Sequence, residues 1–373
     1  MNPLQNHIYS IRHRFLRSDD TKCDKCKGGN FIYICPECHN ELPARMMEEG
    51  AEIISVIGGP NSGKSHYIVA LLHELRENGF EIGLTPTLLQ VGENQRFHTS
   101  KLYNDAIEKL NKNKEWLDKT PEDRPSLPWI IRIDSTDPQI RGRQKPKKSI
   151  YLVFYDTAGE HFNNKDQMTQ NANYLRQSKA VIVLLDTLSI PAIMEMLKDE
   201  YPEGNHTPFD TTWDALGNYI TEAQEGEKDN QHLFQKPFAF VLSKFDVVLD
   251  HADDLGFQIQ EFRDGRGRPI DKSYINGQRE FDLTQVEKAN EAIRNALESR
   301  NQWNHPNFSN WVWDQWEDDA RFFGISAVGK TTVDEITKKP LVDQSGIHPY
   351  RVMDPLLWIM YKLGGFGFKT FNS

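Results

Sequence analysis

Six short apolar runs recur along the chain, separated by polar segments, and each predicts a β-strand. They are EIISVIG at 52–58, WIIRID at 129–134, SIYLVFYD at 149–156, AVIVLLD at 180–186, FAFVLSK at 238–244 and RFFGIS at 321–326. Four are nearly continuous apolar runs, which is typical of strands covered by helices on both faces. The polar segment between the second and third runs predicts a hairpin and one antiparallel strand. The pattern therefore predicts an α/β fold with a mostly parallel six-stranded sheet.

Stretches with helical spacing of apolar residues lie between these runs. They cover 65–78, 101–117 and 285–300, and a last helix is predicted near Pro355, before a pair of glycines. The length allows one enlarged domain, predicted at 49–373, with insertions at about 80–128, 187–236 and 250–320. The glycine-rich, charged stretch 253–282 is predicted to be a surface insertion.

The composition of the chain indicates which binding partners and which cellular compartment to expect. The chain has 44 basic and 54 acidic residues, a net charge of −10, and this balance disfavours nucleic acid as a partner. No run approaches the roughly 20 apolar residues that span a bilayer, and the first residues lack the apolar core of a signal peptide. A soluble, cytoplasmic protein without a membrane span is expected.

All four cysteines fall close together near the start of the sequence. Their spacing, C-x-x-C, eight residues and C-x-x-C, predicts one structural zinc ion with four thiolate ligands in a zinc-ribbon segment at 1–48. The predicted ligands are Cys23, Cys26, Cys35 and Cys38. Two disulfides are the alternative, although a disulfide framework would spread cysteines across the fold.

The glycine-rich turn after the first predicted strand matches G-x-x-x-x-G-K-[ST] over residues 58–65, GGPNSGKS. In that motif, backbone N–H groups of the turn and of the helix start surround phosphate oxygens. Lys64 is predicted to reach the β- and γ-phosphates and to act in catalysis, and Ser65 to ligate Mg²⁺. The predicted nucleotide contacts of this turn are Gly58, Asn61, Ser62, Gly63, Lys64, Ser65 and His66.

A second motif, DTAGE at 156–160, ends the third predicted strand. A carboxylate at such a strand end can hold Mg²⁺ directly or through water, and a following glycine lets a backbone N–H approach the γ-phosphate. Asp156 is therefore a predicted Mg²⁺ ligand, and Gly159 a predicted nucleotide contact.

Four motifs come in an order and strand context that resemble those of the Ras-like, translation-factor-related P-loop GTPases. They are the glycine-rich turn at 58–65, which corresponds to the P-loop, DTAGE, SKFD at 243–246 and ISAVG at 325–329. The resemblance implies GTP and GDP as ligands. It implies that Lys244 packs on the guanine, that Asp246 accepts its N–H groups, and that Ser326 and Ala327 form the last base-contacting turn. Independently, a carboxylate can accept two hydrogen bonds from guanine but meets repulsive acceptors on other bases.

Two residues depart from that family's pattern. Ser243 stands where Asn or Thr begins the base motif, which keeps a hydroxyl but could relax selectivity. Glu160 replaces the glutamine that positions the attacking water, with His161 next to it, so both are candidate catalytic residues. Slow hydrolysis, dependence on a partner, and use of His161 all stay open. The switch threonine stays open among Thr85, Thr87, Thr99 and Thr120, and so does the source of any arginine finger.

The sequence predicts a protein that hydrolyses GTP with Mg²⁺ and switches its binding to an unidentified protein effector. A non-hydrolysing nucleotide-bound scaffold and an unselective NTPase are the alternatives. The cysteine pairs before the P-loop and the ending YRVMDPLLWIMYKLG also resemble bacterial double-GTPase-type proteins of conflict and defence gene clusters. The tryptophans at 303, 311, 313 and 316 either anchor a partner or pack a helix onto the domain.

Overall fold

The computed structural model describes the central domain together with short pieces outside it. The described residues are 33–34, 41–42, 46, 51–89, 99–118, 128–135, 149–156, 175, 178–200, 208–226, 236–264, 266, 270, 272–275, 280–329, 332–333, 340–364 and 369–371. The four cysteines lie outside these residues, as do Gly159, Glu160 and His161. The predictions made for those seven residues therefore stay predictions.

The strands of the described residues are numbered in chain order. They are β1 Tyr33–Ile34, β2 Glu41–Leu42, β3 Ala51–Gly58, β4 Leu84–Leu88, β5 Pro128–Ser135, β6 Ser149–Asp156, β7 Ala180–Asp186, β8 Phe238–Ser243, β9 Tyr274–Ile275, β10 Glu280–Asp282, β11 Ala320–Gly324, β12 Thr332–Val333, β13 Pro340–Leu341 and β14 Lys369–Phe371. The central sheet has the order β11-β8-β7-β3-β6-β5-β4, and the remaining strands form three small sheets.

The predicted α/β class and the mostly parallel sheet are confirmed. Strands β11, β8, β7, β3 and β6 are paired in parallel, and β5 is antiparallel to β6, as the predicted hairpin requires. Strand β3 pairs with β6 on one side and with β7 on the other, so the order of the strands in the sheet reverses at β3. Such a reversal is where open α/β sheets bind ligands, outside the carboxyl ends of the strands.

The predicted count of six strands is wrong, because the sheet has seven. The missed strand, β4, pairs antiparallel with β5 at the edge of the sheet. Its sequence LTPTL has a proline at its centre, and its threonines are exposed while Leu84 is buried. Proline occurs in sheets mainly at edge strands, because it cannot donate a ladder hydrogen bond. The short half-exposed run therefore lacked the continuous apolar pattern of the central strands.

The helices of the described residues are also numbered in chain order. They are α1 Lys64–Asn78, α2 Thr99–Ile107, α3 Pro191–Leu197, α4 Phe209–Gly226, α5 Asp246–Asp250, α6 Leu283–Glu298, α7 Pro306–Trp316 and α8 Asp354–Lys362. Short 3₁₀ turns cover Gly79–Ile82, Thr187–Ser189, Ile259–Phe262 and Glu317–Asp319. Of the described helices, none is both long enough and apolar enough to span a bilayer.

The helices predicted at 65–78 and 285–300 match α1 and α6 closely, but the one predicted over 101–117 is shorter. Helix α2 ends at Ile107 and continues as a π-helical turn, Glu108–Lys112. The chain then leaves the helix, with Lys114 in a left-handed conformation at φ 60°. Asn111, in this π-helical turn, accepts a hydrogen bond from the Ile347 backbone N–H at 2.9 Å, so the helix end is held by a contact with a distant segment.

Two hydrophobic cores lie on opposite faces of the central sheet. Alternate residues of β7 divide between them: Ile182 and Leu184 belong to the core that contains α1 and α8, whereas Val181 and Val183 belong to the core that contains α6 and α7. Both faces of the strand are therefore buried, which explains its uninterrupted apolar sequence.

The insertion segments contribute to these cores. Phe262, Tyr274 and Phe281 are buried, so the prediction that 253–282 is a surface insertion is wrong for these residues. Two of the four clustered tryptophans, Trp303 and Trp316, are also buried in the second core. The burial of these two residues agrees with the second alternative, in which the tryptophans pack a helix onto the domain.

Candidate nucleotide-binding site

The glycine-rich turn joins β3 to α1 at the centre of the sheet. Gly58 ends the strand, and a Cβ there would lie 2.4 Å from the Leu184 carbonyl oxygen and 2.7 Å from Ser62 Oγ. Gly63 caps α1 in the left-handed region at φ 83°, which favours glycine. Ser62 Oγ donates to the Gly59 carbonyl oxygen at 2.8 Å and closes the turn. The glycine positions of the motif are therefore required by close packing at one end and by backbone conformation at the other.

Lys64, the first residue of α1, points its side chain back into this turn. It is 6% exposed, and its Nζ donates to the carbonyl oxygens of Gly58 at 2.9 Å and Gly59 at 3.0 Å. The first turn of α1 has no acidic residue and no side-chain cap. A buried cation thus lies beside helix N–H groups that no side chain of the cap satisfies, and this combination fits an anionic phosphate.

His66 lies just after the predicted Mg²⁺ ligand Ser65, and both side chains are partly buried. His66 Nε2 accepts a hydrogen bond from the Leu117 backbone N–H at 3.3 Å, and its ring lies 5.3 Å from the Trp116 ring. Burial, then the nearby charges of Lys244 and Lys109, lower the pKa of His66 to about 4. The imidazole is therefore neutral at neutral pH and holds the 116–117 segment against the start of α1.

The predicted base-binding motif follows β8 at the same edge of the sheet. Ser243 Oγ donates to the Leu185 carbonyl oxygen at 3.1 Å, so the hydroxyl serves to fasten β8 to β7. Lys244 has a left-handed backbone at φ 56°, and its Nζ forms an ion pair with Asp186 Oδ2 at 2.6 Å. Asp246 begins α5 and is partly exposed.

The Asp246 carboxylate lies in an environment that disfavours its charge. Burial raises the pKa of Asp246, against the opposing effect of a hydrogen bond from Ser326. Ser326 is itself fixed by two backbone hydrogen bonds with Tyr350, at 3.0 and 2.8 Å, and the Phe245 N–H donates to the Ile325 carbonyl oxygen at 3.0 Å. The two predicted base motifs are therefore in contact, and Ala327 follows Ser326 with a partly exposed side chain.

The structure brings most predicted contacts of the nucleotide to one edge. The carboxyl ends of β3, β6, β8 and β11 carry, in turn, the P-loop, Asp156, the SKFD motif and the ISAVG turn. Only the strand position of Asp156 is described. Of the candidate switch threonines, Thr99 is buried and its Oγ1 accepts from the Ile130 N–H at 2.8 Å, whereas Thr85 and Thr87 are exposed on β4.

Asp186, which ends β7 between the P-loop and Lys244, is not among the residues predicted from the sequence. The signal was present, because an apolar run that ends in aspartate also singled out Asp156. Asp186 lines a small cleft with Gly59, Ser62 and Ser189.

The described part of the chain was also compared with the arrangements of side chains that bind metal ions. Within them, no group of three or more His, Cys, Asp or Glu side chains is arranged to hold a metal ion. The predicted zinc ligands lie outside that part of the chain, so the zinc prediction is untested by this observation.

Comparison with known proteins gives a remote relative and remote structural likenesses. No family model matches the chain. It is 25% identical over 345 residues, 90% of this chain and 80% of the relative, to the "Putative ESX-1 scaffolding and assembly protein SaeC" of Mycolicibacterium smegmatis.

Among solved structures, the chain resembles the S. cerevisiae Ski7 GTPase-like domain bound to GDP and inorganic phosphate, at 13% identity and a TM-score of 0.33 over 85% of this chain. The alignment spans 51%, about half, of that protein's chain. The Arl6 small GTPase of Trypanosoma brucei, with a bound nucleotide analogue, aligns at 10% identity and a TM-score of 0.28, over 84% of this chain and 98% of its own.

Proposed function

We propose that the chain binds GTP with Mg²⁺, hydrolyses it to GDP and phosphate, and acts as a nucleotide-dependent switch for a protein effector. The observation that carries the proposal is the position of Lys64 and Asp246 on one edge of the sheet, each following a parallel strand at its carboxyl end. One residue offers a cation to phosphates, and the other offers a carboxylate to a base.

At the phosphate end, Lys64 is the central residue. In the described state its ammonium group is held by neutral carbonyl oxygens. Phosphate oxygens carry full negative charge and make stronger, charge-assisted hydrogen bonds with an ammonium group. We expect the Lys64 side chain to exchange its carbonyl partners for the β- and γ-phosphates when a nucleotide is present, while the N–H groups at the start of α1 contact the same phosphates.

At the base end, Asp246 supports a choice of guanine. Its raised pKa indicates that burial costs more than its present hydrogen bonds recover. The ring and exocyclic N–H groups of guanine would donate to this carboxylate and lower that cost, whereas adenine presents no such pair of donors. Because Ser326 contacts Asp246, the ISAVG turn would contact the same base.

The residues for Mg²⁺ and hydrolysis follow from the motifs. Ser65 and Asp156 are the proposed Mg²⁺ ligands, since a hydroxyl and a carboxylate are the oxygen donors this ion prefers. The bound ion would neutralise charge that develops on the phosphates. Glu160 or His161 would orient the attacking water, and we expect slow turnover because a glutamate also repels the γ-phosphate.

A titration tests the proposal directly. The protein is titrated with fluorescent GTP, GDP and ATP analogues in Mg²⁺, and phosphate release is measured on the same samples. We expect guanine-selective binding in the native protein and loss of selectivity in Asp246→Ala. Asp253→Ala is the matched control, because it removes an exposed carboxylate three residues after the end of α5. Equal affinity for ATP and GTP, unchanged in Asp246→Ala, would establish an unselective NTPase instead.

A nucleotide-held scaffold is the second candidate function. It is favoured by the scaffolding and assembly role in the name of the M. smegmatis relative, together with Glu160 in place of the usual glutamine. Phosphate release at the level of buffer alone, with intact GTP recovered from the protein, would select this scaffold over the switch.

Two further parts of the proposal rest on sequence alone. One is the four-cysteine zinc site, and metal analysis with Cys23→Ser and Cys35→Ser tests it. The other is a role in a bacterial defence system, which depends on the resemblance to double-GTPase-type proteins.

A further inference from the structure

Asp186 is a nearly buried carboxylate that contacts the proposed base-binding lysine. Its side chain is 5% exposed, and Oδ2 lies 2.6 Å from Lys244 Nζ. Its other oxygen, Oδ1, accepts from the Leu188 backbone N–H at 3.1 Å. The two carboxylate oxygens therefore have separate tasks: one fixes the turn after β7 and the other holds the lysine.

The surroundings of Asp186 keep this carboxylate in place. Ser189 Oγ donates to the Asp186 carbonyl oxygen at 2.6 Å, and Thr187 Oγ1 donates to the Ser243 carbonyl oxygen. The first bond closes the turn after β7, and the second joins this turn to the end of β8, so the acceptor is held in place relative to the SKFD motif.

Lys244, in contrast, is the adaptable partner. Its side chain is 34% exposed, and its backbone has a left-handed conformation that L-residues adopt only when neighbours hold it. A long lysine side chain loses rotamer freedom when it is fixed. An ion pair that fixes it before a ligand arrives removes that cost from binding.

We propose that Asp186 is a positioning residue for nucleotide binding, which holds the Lys244 ammonium group so that the methylene stem of the lysine is in place to pack on the base. The inference rests on the proposed function and deepens it. Asp186 also lines the cleft beside Gly59 and Ser62 of the P-loop, so a change in this carboxylate is close to both ends of the nucleotide site.

The test is a double-mutant cycle on nucleotide release. Asp186→Asn keeps an oxygen for the Leu188 N–H but removes the charge that faces Lys244, and Lys244→Met keeps an apolar stem without the ammonium group. We expect each single variant to release a fluorescent GDP analogue about tenfold faster, and the double variant to be no faster than either, because the two groups act as a pair.

Glu287→Gln is the matched control. It removes the carboxylate partner of Arg321, at 2.8 Å, near the amino end of β11 and away from the nucleotide edge. We expect this variant to release nucleotide at the native rate.

The outcomes separate the inference from the proposed function. If the native protein binds GDP, and Asp186→Asn releases it at the native rate or adds its full effect to that of Lys244→Met, the positioning role is wrong and the proposed function stands. A lower melting temperature with unchanged release would likewise reduce Asp186 to a structural residue. If the native protein binds no guanine nucleotide, the proposed function fails and this role fails with it.

Discussion

Lys64 and Lys236 are two buried lysines that make the same kind of contact, to two backbone carbonyl oxygens. Lys64 lies beyond the carboxyl end of β3, whereas Lys236 lies before the amino end of β8. They are 6% and 5% exposed. Lys64 Nζ donates to the carbonyl oxygens of Gly58 and Gly59, and Lys236 Nζ donates to those of Leu175 at 2.7 Å and Ser178 at 2.9 Å.

Their surroundings differ. Lys64 begins a helix whose first N–H groups have no side-chain cap, and its carbonyl partners belong to the same glycine-rich turn. Lys236 precedes β8, and its partners lie 58 and 61 positions earlier in the sequence, before β7. Burial, then the charge of Lys179, lower the pKa of Lys236 to about 7. A buried lysine held by carbonyl groups is thus not a site by itself. What differs at Lys64 is the start of α1, where the N-cap Gly63 provides no side-chain cap.

The largest effect is expected for Lys64→Ala. Removing the cation leaves the phosphates without their charged partner, and triphosphate affinity should fall about 100-fold, at the upper range for a charged hydrogen bond. Nucleotide titration measures this effect, and circular dichroism checks that the variant folds. Native-like affinity in a folded Lys64→Ala protein would remove the distinction between the two lysines.

Lys236→Met is expected to change stability and leave nucleotide binding intact. The substitution keeps the length of the side chain but leaves two buried carbonyl groups without their donor, at a cost of about 1–3 kcal/mol. Denaturant unfolding measures the loss, and the same nucleotide titration should give the native affinity at a temperature where the variant is folded. A selective loss of affinity would give Lys236 a role in the site.

The last prediction concerns the pH dependence of stability. Unfolding returns the pKa of Lys236 from about 7 to its ordinary value of 10.5. Between these values the unfolded chain binds more protons, so the contribution of Lys236 to the free energy of unfolding rises from pH 7 towards pH 10 and is flat below pH 7. The difference between native and Lys236→Met unfolding curves across this range isolates the contribution. Parallel curves would contradict the lowered pKa.

Much of the sheet could be predicted because its central strands are buried on both faces. Strands β7 and β8 are continuous apolar runs up to their last residue, and β3 is nearly so. Strand β4 was not predicted because it lies at an edge of the sheet, where one face and one row of backbone groups need not be buried by apolar residues. The segment 253–282 was misjudged because its buried aromatic residues are separated by charged and glycine-rich sequence.

The strand, turn and helix of the proposed phosphate site were predictable for a local reason. The P-loop needs a strand end, a glycine turn and a helix start, and all three fall within a short stretch around 52–78. Asp186 and Lys244 are 58 positions apart, so no local pattern could pair them. The register between β7 and β8, in which Asp186 lies beside Ser243, brings them together.

The sequence by itself determined the α/β class, the glycine-rich turn between β3 and α1 and the candidate base residues, because each depends on neighbours in the chain or on a periodic pattern. The tertiary structure decided the seventh strand, the ion pair of Asp186 with Lys244, the lowered pKa of His66 and the different surroundings of Lys64 and Lys236. These features depend on contacts between distant segments and on the burial that those contacts create. The order of residues along the chain does not show this burial, because it arises only when the strands pair and the helices pack.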